Sequence, residues 1–408
     1  MATPSDRSSA RLITKEFALL LVAALGAFLS LGMTLPVLPY FVQSLGGGDL
    51  AIGVVVGIMA VSAVMVRPFT ARAIQNLGFQ PLVLIGGVAG AVSTAAYALA
   101  GNLPVLLLFR LLSGAALALM FVACIARVMA TAPPEQRSKA SSYFSVAPYL
   151  GIGLGPVIGQ PCYDTFGVGP TFVVAGLLQL LGTLPMLLVA NHRARGERAP
   201  RFHSAALWPG AVLALGIIGV VAFNAYIPLY VDELRGSNPS WMFLAYSVVV
   251  LAARIFAGGL PDRIGAVRAG TLATIGVVLG LVIIAAAPSE VWIYVGIVPL
   301  GAGIAFQYPG LMALTISRVK ESEQAAAVST FTMFFDVATG LGGLVVGQAA
   351  ALGGYRAAFA AAACCSVLGL VLLRTIVARG SAPIATTPTT TPAPARFGET
   401  ACDSSSAA

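Results

Sequence analysis

Charge is what this chain lacks. Only 9% of its 408 residues are Asp, Glu, Lys or Arg and 58% are hydrophobic, where a soluble domain carries roughly a quarter charged. A water-solvated fold is excluded. Histidine is nearly absent: His192 and His203 are the only two, both lie in one central stretch, and no H-x-x-x-H or C-x-x-C spacing occurs. A metallohydrolase or other metal-centred enzyme is therefore not expected, nor any cofactor. The chain has no G-x-x-x-x-G-K-[ST] loop, so its work draws on an ion or solute gradient and not on ATP bound here. The five cysteines, Cys124, Cys162, Cys364, Cys365 and Cys402, are odd in number and mostly lie in apolar runs. They read as small packing residues.

What the chain has in quantity is apolar length. Crossing about 30 Å of hydrocarbon takes about 20 helical residues. Twelve such runs recur, over residues 17–42, 50–72, 81–101, 103–130, 139–161, 169–190, 207–231, 240–259, 267–288, 290–316, 326–350 and 355–378. The expected fold is an all-α integral membrane protein of twelve transmembrane helices. The first run has no small-residue cleavage site and reads as a helix, not a removable signal.

A net charge of +8 would suit nucleic acid, but its distribution points to a bilayer. With both termini inside, Arg235 and Arg356 alone fall in outer loops and Arg110 lies within a helix, so the other twenty of the 23 Lys and Arg face the cytoplasm or its boundary. Outer loops hold Asp49, Asp164, Asp232, Glu233 and Glu290, and Trp208, Trp241 and Trp292 sit at span ends. The expectation is a multi-pass protein of the cell (inner) membrane, both termini cytoplasmic, monomeric and with no nucleic-acid partner.

The organisation expected is a mobile N-terminus (1–16), a six-helix bundle (17–190), a basic cytoplasmic linker (191–206), a second six-helix bundle (207–378) and a disordered Thr-, Pro- and Ser-rich tail (379–408). The bundles are copies at an offset of 187 residues: Arg67 and Gly78 match Arg254 and Gly265, Gly114 matches Gly301, and Gly153-Leu154-Gly155 matches Gly340-Leu341-Gly342. At an offset of 189, Leu38-Pro39 matches Ile227-Pro228. Two parallel six-helix repeats imply a cavity between them near the midplane, the architecture of alternating access.

Four motifs then make the chain resemble the major facilitator superfamily. After the second helix of each half that family reads roughly R-P-x-x-G-x-x-x-D-R-x-G; here the second copy runs Arg254 to Gly265 with Gly258, Asp262 and Arg263 in place. The first copy, from Arg67 to Gly78, keeps the frame but has Gln75-Asn76 for the Asp-Arg pair. The resemblance assigns Arg67, Gln75, Gly78, Arg254, Gly258, Asp262, Arg263 and Gly265 to an inner gate. The other reading of Arg67, Arg72 and Arg263 is simple positive-inside anchoring.

Leu106 to Gly114 is similar to the family's L-x-x-x-R-x-x-Q-G, with Arg110 in place and Ser113 for Gln. Arg110, Ser113, Leu117, Met120, Cys124 and Arg127 share one helix face, expected to line the cavity; alternatively Arg110 is buried against carbonyls of the first helix. Gly151, Gly155, Pro156 and Gly159 resemble the antiporter signature G-x-x-x-G-P-x-x-G-G of drug:proton exporters, losing its last Gly to Gln160. By family resemblance the first, fourth, seventh and tenth helices line the cavity, which nominates Ser30, Thr34, Arg110, Asn224, Tyr226, Gln307 and Tyr308, with Phe335 from the eleventh, as substrate-binding residues; each is also readable as packing.

Asp336 is the acidic residue deepest in any span, so the coupling proton is assigned to it, with Arg110 as a companion; the competing reading is a permanently ionised partner of an Arg. Pseudo-symmetry pairs Arg67 with Asp336 and Arg254 with Tyr149. Span ends place Asp336 about 15 Å deep and Arg67 only about 5 Å, so that contact demands a long reach. The function implied is proton-coupled export of a small hydrophobic or amphipathic compound, a drug or secondary metabolite. A metabolite or sugar-related permease and a non-transporting membrane sensor are the alternatives.

Overall fold

The computed structural model describes residues 14–133, 136, 140, 143–193, 203–257, 264–319 and 323–377. The mobile N-terminus, the disordered tail and most of the basic linker expected from the sequence fall outside that set, as do Gly258, Asp262 and Arg263. The described residues form helices: α1 Lys15–Thr34, α2 Leu38–Ser44, α3 Asp49–Leu77, α4 Phe79–Ala95, α5 Leu103–Thr131, α6 Val146–Phe166 and α7 Val168–Thr183 in the first half. In the second half they are α8 Leu207–Glu233, α9 Ser240–Ala257, α10 Ala266–Ala285, α11 Glu290–Ile316 and α12 Gln324–Leu372.

Ten of these stretches are long and apolar enough to cross a membrane by themselves. Two details bring the count to twelve. α6 is a further helix of 21 residues, made less hydropathic by its Gly, Pro and Gln. α12 is two spans joined at Gly353-Gly354, where the backbone leaves helical geometry and Gly354 takes φ +72°. The first span is itself broken: Pro36 brings α1 to an end, and α2 restarts with Pro39 in its first turn.

Local sequence sets the boundaries. Thr14 Oγ1 accepts the Phe17 N–H at 3.1 Å to start α1, and Asn102 Oδ1 accepts the Val105 N–H at 3.0 Å to start α5; such caps are worth about 1 kcal/mol each. The tight turns need left-handed backbone, and they repeat. Gly78 and Gly265, and likewise Gly167 and Gly354, are positive-φ pairs at the offset of 187, and Gly46 is matched at 189 by Arg235, the one positive-φ non-glycine among the described residues.

We call the end holding the start of α1 the base and the end holding Asp49 and Asp232 the top. At the top, Leu35, Val37, Leu38, Phe41 and Ile52 of the first half join one apolar core with α8 and its neighbours. Toward the base the first half keeps a separate core, built around Phe17, Leu20, Ile74, Phe79 and Val128, with no member from the second half. The halves are thus sealed together at the top.

Candidate functional site

Two helix crossings hold the halves together, and they are copies. α3 crosses α12 through glycines: a Cβ on Gly53 would lie 2.1 Å from the Gly343 carbonyl oxygen, and one on Gly57 would lie 2.6 Å from that of Gly340. Only glycine permits that approach. α6 crosses α9 at the equivalent level, where Ser240 Oγ donates to the Pro156 carbonyl at 2.8 Å and a Cβ on Gly153 would meet Ser247 Cβ at 2.5 Å. The Gly53/Gly57 and Gly343/Gly347 spacings of four are the small-x-x-x-small signal that sequence analysis passed over.

Below each crossing, toward the base, lies an arginine. Arg67 of α3 forms an ion pair with Asp336 of α12: a terminal nitrogen donates to Oδ1 at 3.0 Å, and Nε lies 2.5 Å from Oδ2 without hydrogen-bond geometry. Asp336 is only 7% exposed. The depth conflict expected from the sequence disappears because α3 continues past residue 72 to Leu77, which sets Arg67 about 15 Å from the helix end. At the related position, Arg254 donates to the Tyr149 hydroxyl at 3.0 Å and to Ser145 Oγ at 3.2 Å, its guanidinium 4.7 Å from the Tyr149 ring centre. One crossing therefore carries an ion pair and the other a neutral acceptor set.

The remaining motif residues distribute differently from the expectation. Arg110 does not face a cavity between the halves. Its helix face turns into its own bundle, where Nε donates to the Val55 carbonyl of α3 at 3.0 Å and the guanidinium lies 5.8 Å from the Tyr97 ring centre. The carbonyl partner thus comes from the second span and not the first, and no contact links Arg110 to Asp336. Met120 and Cys124 sit in the same interior core, and Arg127 pairs with Glu16 at 2.5 Å. A shared helix face identifies neighbours in sequence, not which wall they meet.

The antiporter-signature glycines seat α6 on α1. A Cβ on Gly151 would strike Phe28, one on Gly155 would strike Gly32 and one on Gly159 would strike Met33, each within 2.6 Å. Pro156 supplies the carbonyl that Ser240 caps. Of the gate residues, Gly78 and Gly265 make the turns already described, and Gln75 lies in the last turn of α3.

Among the residues nominated for substrate binding, Tyr226 donates its hydroxyl to the Asp49 carbonyl at 2.7 Å, across the halves in the seal at the top. Beside it Tyr40 of the first half donates to Asp232 of the second at 2.8 Å. Gln307 is 1% exposed with both amide atoms unpaired, and it packs where Gly216 of α8 leaves room. Ser30 is buried with its hydroxyl unpaired, and Thr34 returns its hydroxyl to the Leu31 carbonyl at 2.7 Å. Tyr308 stacks edge-on against Phe331, Asn224 is half-buried, and Phe335 is 37% exposed.

Replacing Tyr40 by Phe removes one bond across the halves while keeping the ring packed on Tyr163. Exposed hydroxyl–carboxylate bonds contribute about 1 kcal/mol. The expected outcome is about a fivefold faster labelling of a cysteine at Asp49 by an impermeant thiol reagent, with unchanged expression.

A family model described as Major Facilitator Superfamily matches residues 20–240 and 236–401. The chain belongs to this superfamily. Among its relatives is an uncharacterized MFS-type transporter of Pseudomonas aeruginosa, 28% identical over 398 residues that cover 93% of this chain and 98% of the relative. Another is the uncharacterized MFS-type transporter YhhS of Escherichia coli, 24% identical over 85% of this chain and 88% of its own length. The fold is similar to the nucleoside transporter NupG, with a TM-score of 0.76 at 14% identity over 88% of this chain and 99% of that one. It is also similar to the human organic anion transporter MFSD10, with a TM-score of 0.66 at 19% identity over 88% of this chain and all of that one. The superfamily consists of membrane transporters and not enzymes, so the chain is a multi-pass transporter.

Proposed function

We propose that the protein is a secondary transporter that exports a small hydrophobic or amphipathic compound in exchange for protons, by rocking its two halves about the α3–α12 and α6–α9 crossings. The base faces the cytoplasm of the cell membrane, with both termini there, and the protein works as a monomer. The observation that carries the reading is the part-buried Arg67–Asp336 pair. It is the one ion pair among the described residues that joins the halves, and it sits off the crossing, where closing and opening change its length.

A proton on Asp336 removes the charge that Arg67 holds, so the pair releases. Release frees the base of α3 from α12 while the glycine contacts above act as the pivot. A compound then enters from the cytoplasmic side, and loss of the proton to the cytoplasm re-forms the pair. The resemblance of Gly151, Gly155, Pro156 and Gly159 to the antiporter signature of drug:proton exporters supports export over uptake. Proteoliposomes with an imposed pH gradient test this directly: dye or drug accumulation that depends on the gradient is expected, and accumulation indifferent to it would remove the proton.

The gate at the base is asymmetric in this reading, since Asp262 and Arg263 stand where the first half has Gln75 and Asn76. Asp262→Asn is expected to lower transport at least about tenfold, consistent with losing a charge-assisted hydrogen bond, and Gln75→Ala about twofold. Equal losses at matched expression would defeat the asymmetry.

A further inference from the structure

The core of the first bundle contains a polar pocket that the fold does not require. Arg110 is 2% exposed, makes one side-chain hydrogen bond, to the Val55 carbonyl, and among the described residues has no carboxylate within 4.0 Å. Around it Thr34, Thr94, Tyr97, Ser113 and Gln179 line a cavity of about 10 Å³, room for a single water-sized group. The second bundle supplies a control. At the offset of 187, Thr94, Tyr97, Arg110 and Ser113 become Leu281, Ile284, Ile297 and Leu300, all buried to 1% exposure or less. Gln179 becomes the smaller buried Ser366, so the same helix packing is achieved with no arginine and with aliphatic side chains at these four positions.

A guanidinium buried without a counter-charge is costly unless something compensates it. Of the polar neighbours, Thr34 and Ser113 spend their hydroxyl hydrogens on the Leu31 and Arg110 carbonyls and Tyr97 bonds to Ser113, which leaves Thr94 and Gln179 as the donors at hand, and none offers negative charge. We infer that this pocket is an anion site: it receives one small anionic group, such as an end of a carboxylate, on Arg110 with Thr94 and Gln179 beside it. The size of the cavity admits only the charged end of an organic ligand, so the apolar remainder stays outside the pocket. Naming a transported compound as the source of that group rests on the export reading above, which would make the substrates organic anions. The pocket itself does not depend on export.

Purified full-length protein in detergent, in a low-salt buffer of constant osmolarity, is heated with sodium benzoate, with uncharged benzamide, or with sodium chloride at matched ionic strength. Benzoate is expected to raise the unfolding midpoint in a saturable way and benzamide to leave it unchanged. Thr94→Val keeps the shape, removes a donor, and should weaken the apparent affinity about tenfold, as for a hydrogen bond to a charged group; Arg110→Gln should abolish the shift. Should Arg110→Gln not purify, Thr94→Val decides alone. Stabilisation by chloride and not benzoate, lost in the same variants, supports the anion site and assigns it to a free inorganic ion. Equal shifts from all three additives, or a benzoate shift undiminished in the variants, overturn it. Since only binding is read, benzoate binding without export would sink the export reading and keep the pocket, and proton-driven export without anion binding would do the reverse.

Discussion

Asp336→Asn protein in proteoliposomes is expected to bind and exchange substrate but not to accumulate it against a gradient. The amide matches the carboxyl in size but gives Arg67 no charge to hold, so the clamp is released while the glycine contacts keep α12 packed beside α3. What it loses is the proton. Concentrative transport driven by a pH gradient should fall to the level of empty vesicles, while counterflow at equal pH stays within about tenfold of the parent, the range left by losing one hydrogen bond of about 0.5–1.5 kcal/mol. A purely structural role gives a different pattern. A broken buried pair then costs about 3–5 kcal/mol of stability, and expression and counterflow fall together with accumulation. Accumulation that survives in a proton-dependent manner would take the coupling role away from Asp336.

The second large effect is expected at Gly53. Its missing Cβ would stand 2.1 Å from the Gly343 carbonyl oxygen, and backbone on both sides leaves neither partner a rotamer to escape to. Even Gly53→Ala must push α3 off α12 at the top, where overpacking costs about 1–3 kcal/mol or more. Transport should drop about tenfold to a hundredfold because the sealed-top state is the one disfavoured. Gly48→Ala, five residues earlier, is the control: nothing lies within 4 Å of its added Cβ, and its transport should be close to the parent's. Equal losses in the two variants would mean that the crossing is not a pivot.

Much of this arrangement is legible in the sequence, because membrane spans and repeats are long-range periodic signals. Twelve spans follow from apolar length, and the offset of 187 predicts Arg67 opposite Asp336 and Arg254 opposite Tyr149, as observed. The depth objection came from reading the end of α3 at residue 72. The amphipathic turn from Ala73 to Leu77 continues the helix past the apolar run, and hydropathy does not register helix outside hydrocarbon. The surroundings of Arg110 and Tyr226 are not legible in the sequence for another reason. A helical stripe fixes which residues share a face, but the choice between bundle interior, cavity and top seal depends on helix rotation. Rotation is set by pairwise packing, here by glycines such as Gly114 against Met59 and Gly86 against Met120. The top seal of Tyr40, Asp232 and Tyr226 was invisible because its members lie 192 and 177 residues from their partners and carry no repeat counterpart.

The central claim is that the charge on Asp336 sets the separation of the two halves at the base. Spin labels at Thr131 and Ser317, exposed positions near the basal ends of α5 and α11, report that separation by pulsed dipolar spectroscopy in a background with the native cysteines replaced. A long-distance component should grow as pH falls, because protonation releases Arg67, and Asp336→Asn should show that component at every pH. A distance distribution that is the same at high and low pH, and the same in Asp336→Asn, would contradict the account.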